Sequence, residues 1–65
     1  MVTLDEFRSA VAMKLTGIPE ERIIAAYANF QASAPMSSVW KELTGTESMQ
    51  HGLELLHHTY RIKRI

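Results

Sequence analysis

His51, Glu54 and His58 are spaced three and four apart, which places three side chains able to bind a metal or move a proton on one face of a helix. Two His two turns apart would still need further ligands from elsewhere to complete a zinc site, and the chain contains no cysteine. The His-Glu-x-x-His order of metalloproteases is absent as well. The trio therefore reads as a solvated helix face whose His residues could make association pH-sensitive, and neither a metal nor another cofactor is expected. Their neighbour His57 is placed at the edge of the core. Catalysis has no better footing. A nucleophile requires a base and an orienting carboxylate converging in a pocket, whereas Ser37, Ser38 and Ser48 fall where caps or helix surface are expected. No glycine-rich phosphate loop is present. The reading is of a protein that is not an enzyme.

Charge narrows the partners. Seven Lys and Arg balance seven Asp and Glu, so no global field draws the chain to nucleic acid or to an anionic membrane. No acid follows Glu54, while Arg61, Lys63 and Arg64 lie close together near the end. Such cations suit the negative end of a helix dipole and could also steer an acidic partner. No apolar run approaches the ~20 residues that span a bilayer, and Asp5 and Glu6 stand where a signal peptide would carry Lys or Arg. The expected location is cytoplasmic, without a membrane partner.

The elements that position these residues are all helical. Thr3-Leu4-Asp5-Glu6 has the form of a capping box, followed by Leu4, Phe7, Val11 and Leu15 on one face with Ala10 beside them. Gly17 stops this helix and Pro19 starts the next, with Glu20 and Glu21 at its positive end. In the second helix, about 19–31, Ile23, Ala26, Tyr27 and Phe30 form a stripe while Ile24, Ala25 and Ala28 cover much of the rest. It is expected at the centre of the fold. After a loop over 32–38, Ser37 or Ser38 would cap a short helix carrying Val39, Trp40 and Leu43, ended by Gly45. Thr44 or Thr46 would cap a last helix running to about Lys63, with Met49, Leu53, Leu56 and Tyr60 as its main stripe. Gly52, costly in a helix, implies that another backbone approaches closely there.

Leu55 and Ile62 project to the side of that last stripe, so something further should cover them. A single 65-residue domain without disulfides buries only ~60% of the surface its unfolded chain exposes, which makes association a natural staple. The sequence thus predicts an all-α, compact three- to four-helix domain over 1–65. Its expected role is that of a small protein-interaction module, a regulator or inhibitor binding another protein or forming a homodimer. Trp40, Leu55 and Ile62 are the expected interface anchors, with Arg61, Lys63 and Arg64 steering.

A second reading comes from the corner. Met13-Lys14-Leu15-Thr16-Gly17-Ile18-Pro19, followed by Ile23, is similar to the turn of the helix-turn-helix family, with Gly in the corner and apolar residues after it. The resemblance implies a DNA-binding regulator whose second helix enters the major groove, with Arg22, Asn29 and Gln31 available to read bases. Met13 and Thr16 depart from the family's small and apolar positions, and Glu20 and Glu21 at the leading end of that helix would repel phosphates.

Overall fold

The computed structural model describes residues 1–63, with side chains as far as Ile62. Four helices form, each where a start signal and a stop signal bracket a run of helical periodicity: α1 (Leu4–Lys14), α2 (Glu20–Gln31), α3 (Met36–Thr44) and α4 (Met49–Lys63). At the start of α1 the Thr3 hydroxyl accepts from the Glu6 amide at 3.2 Å, and the Glu6 carboxylate accepts from the Thr3 amide at 2.7 Å. Two orphan donors are satisfied reciprocally. Leu15 turns extended, and Gly17, at φ +75°, carries the chain round the corner to Pro19.

Two caps differ from expectation. α3 starts directly after Pro35, whose carbonyl accepts from the amides of Ser38 and Val39, so neither Ser37 nor Ser38 caps it. Proline holds its φ at −55°, already suited to helix entry, and Ser37 is instead buried in the first turn. For α4 the cap is Ser48, whose hydroxyl accepts from the His51 amide at 3.3 Å. Thr44 bonds back to the Trp40 carbonyl at 3.0 Å and also receives the Thr46 amide, which occupies both threonines in closing α3. Gly45, at φ +80°, supplies the left-handed residue that ends α3, as its position implied.

The helices pack in a ring: α1 against α4, α4 against α3, α3 against α2, and α2 against α1. α2 and α4 lie diagonally opposite, so α2 is not a central helix with α1 and α4 across it. Its apolar circumference is made largely of alanine, and Ile24 stays half exposed, so only the Ile23–Phe30 stripe has substance to bury. The core between the helices is built from Phe7, Val11, Val39, Leu43 and Leu55, all essentially inaccessible. The Phe7 ring sits 5.6 Å from Tyr27 and 5.5 Å from Phe30. Tyr27 then donates its hydroxyl to the Val2 carbonyl at 2.7 Å, pinning the segment before α1 over the core.

α4 turns an unexpected face inward. Gly52, Leu55 and Thr59 are buried and Ile62 packs against the core, whereas Met49, Leu53 and Tyr60 of the supposed inner stripe are about half exposed. The cause is distance. At Gly52 the Met36 backbone comes so near that a Cβ would lie 2.6 Å from its carbonyl carbon and closer still to the oxygen. Only a residue without a Cβ fits against the start of α3 at that separation, which fixes the face carrying Gly52 as an inner one. Thr59 tolerates full burial because its hydroxyl donates to the Leu55 carbonyl at 2.8 Å.

Candidate protein-interaction surface

The outward face of α4 is made by Met49, Leu53, Leu56 and Tyr60, spaced four, three and four apart. Three of these are large apolar side chains left open, with exposures of 58% at Met49, 51% at Leu53 and 48% at Tyr60; Leu56 is half-buried between them. Gln50 and His57 flank the stripe and are exposed. At its C-terminal end Tyr60 stands 6.5 Å from Phe30 and borders a cleft of about 520 Å³ that also takes in Met1, Met36 and Leu56. Elsewhere the exposed large apolar residues of the helices come one to a helix, Met13 on α1 and Ile24 on α2.

The expected anchors lie differently. Leu55 is fully buried in the chain's own core, Trp40 is 6% exposed, and Ile62 packs against the same cluster. Leu55 and Trp40 therefore present no surface to a partner, because the inversion of α4 gives them intramolecular cover. Arg61 is exposed on α4; the side chain of Lys63 and all of Arg64 lie outside the described residues.

The His-Glu trio is divided among separate contacts. Glu54 forms an ion pair with Lys14 of α1, and this hydrogen bond holds its carboxyl below the usual carboxylate range while burial opposes it. The His51 ring lies 5.0 Å from the Trp40 indole, covering one side of it. His58 has a buried Nδ1 without a hydrogen-bond partner among the described residues. His57 is exposed, not at the core edge, since it follows Leu53 by one turn along the outward face. Among the described residues no three His, Asp or Glu side chains are grouped to hold a metal ion.

At the corner between α1 and α2, Arg8 binds both carboxylate oxygens of Glu20, at 3.0 and 2.9 Å, and Asp5 at 2.5 Å. Glu20 first, then Asp5, raises the guanidinium pKa above its ordinary value. The arrangement ties the two helices and leaves that end of α2 without excess positive charge. Of the residues expected to read bases, Arg22 and Asn29 share a polar groove with Lys41 and Glu42, while Gln31 turns away to donate to the Tyr27 hydroxyl.

The signal for the open α4 face was present in the chain. Gly52 and Thr59, one heptad apart beside Leu55 and Ile62, mark a close-packing face, and once they turn inward the Met49–Tyr60 stripe is rotated aside, towards solvent. Among the described residues no helix is long and apolar enough to cross a membrane. Comparison with known proteins finds no family model, no curated protein and no solved structure that matches this chain.

Proposed function

We propose that this chain is a small non-enzymatic protein-interaction module that binds a protein surface with the outward face of α4, acting as a regulator or inhibitor of what it engages. The observation that carries the reading is the row of Met49, Leu53 and Tyr60, each about half exposed on one face of one helix. Scattered apolar side chains are ordinary on a protein surface, but a contiguous apolar patch with a polar rim is characteristic of interaction sites. Gln50 and His57 supply such a rim. Covering the row would return ~25 cal/mol for each Å² of apolar surface removed from water, a gain the small internal core leaves unused. A helix presenting residues at these spacings suits a groove or a second helix.

Site-specific photocrosslinking in the native cell tests the reading. Benzoylphenylalanine placed at Leu53 is expected to form adducts with a polypeptide, and the same probe at exposed Ser9 on α1 is expected to form none. Equal yields from both positions, or no adduct from Leu53, would overturn it.

A further inference from the structure

We infer that the protein surface covering this face is a second copy of the same chain, packed α4 against α4 in antiparallel orientation; this rests on the interaction reading above and names its occupant. Met49, Leu53, Leu56 and Tyr60 alternate steps of four and three, the spacing of a helix–helix seam. Under a two-fold axis, Leu53 of one copy meets Leu56 of the other, and Met49 meets Tyr60. Both pairings share one midpoint, between residues 54 and 55, so a single symmetry operation satisfies the whole row.

Charge selects the same occupant and orientation. The seam itself carries no charged residue, and exposed Gln50 and His57 flank its middle. Just before α4 stands exposed Glu47, and near its other end exposed Arg61; neither has an ion pair among the described residues. Antiparallel packing brings Arg61 of one copy towards Glu47 of the other at both ends, and opposes the helix dipoles. Parallel packing would instead place like charges together. Four seam residues fall short of the ~800 Å² per partner of a standard interface, so the dimer forms and dissociates with concentration.

The test is sedimentation equilibrium of the full chain from micromolar to millimolar concentration. The native chain is expected to pass from monomer to dimer, and Leu53→Lys to remain monomeric with an unchanged far-ultraviolet circular dichroism spectrum. Glu47→Arg and Arg61→Glu should each weaken the dimer by about fivefold, and the double variant should restore it. A native chain that stays monomeric, or a double variant no tighter than the single ones, would overturn the inference. Crosslinks from position 53 to a different protein, with a monomeric chain, would overturn the second copy while leaving the interaction reading in place; absence of any adduct would remove both.

Discussion

One hydrogen at Gly52 sets how closely α3 and α4 approach. On an open helix Gly→Ala would gain ~1 kcal/mol from propensity alone. Here the new methyl would lie 2.6 Å from the Met36 carbonyl carbon and 3.0 Å from its Cβ, and backbone at the start of a helix has little freedom to yield. Gly52→Ala is therefore expected to destabilise the fold by ~2 kcal/mol or more in spite of its better propensity, the usual outcome of overpacking. Urea denaturation monitored by circular dichroism measures this directly; a variant at least as stable as the parent would contradict the close approach. This contact was readable from the chain, since a glycine on an apolar helix side has few other reasons to be there. Its consequence, that the glycine's face is the inner one, required knowing what approaches it.

At the scale of the element, α4 shows why hydrophobicity alone misassigned a face. Met49, Leu53, Leu56 and Tyr60 outweigh Gly52, Leu55, Thr59 and Ile62 in apolar mass, yet the second set is the one turned inward. Shape decided the matter, because glycine and threonine carry little hydrophobic weight but allow close packing. The caps show a similar limit. Thr3, Gly17 and Gly45 act as their types require, whereas Pro35 displaces two serines and Ser48 displaces two threonines, choices among neighbours with almost equal local credentials. α4 is also fastened to α1 by the Lys14–Glu54 pair, which gives the bundle a dependence on pH. The Glu54 carboxyl is held below its ordinary 4.5, chiefly by the hydrogen bond from Lys14. A group depressed in the folded state stabilises it fully above the unfolded value and loses that contribution as pH falls through the folded value. Melting temperature followed from pH ~6 to ~3 should thus fall more steeply for the parent than for Glu54→Gln, by a small margin because both side chains are partly exposed. Parallel curves would show that the pair contributes nothing.

At the scale of the molecule, the all-helical class and the four helices with most of their limits were legible from spacing and punctuation. The ring in which they pack was not. Which pairs of helices touch depends on the reach of short loops and on side-chain size across faces, and a largely alanine circumference made α2 look more buried than its volume allows. The aromatic cluster of Phe7, Tyr27 and Phe30 and the aliphatic group around Val39, Leu43 and Leu55 complete a core within the chain, so the fold does not depend on the proposed association to close it. α4 is thus divided into an inner face that builds the core and an outer face left open, the one proposed to meet a partner. The most direct test compares the unfolding free energies of Leu55→Ala and Leu53→Ala in urea, at protein concentrations low enough to exclude association. Leu55→Ala should cost ~2–5 kcal/mol, as for a fully buried leucine, and Leu53→Ala less than ~1 kcal/mol. Equal losses, or a larger loss at Leu53, would mean that α4 turns its Met49–Tyr60 face inward instead.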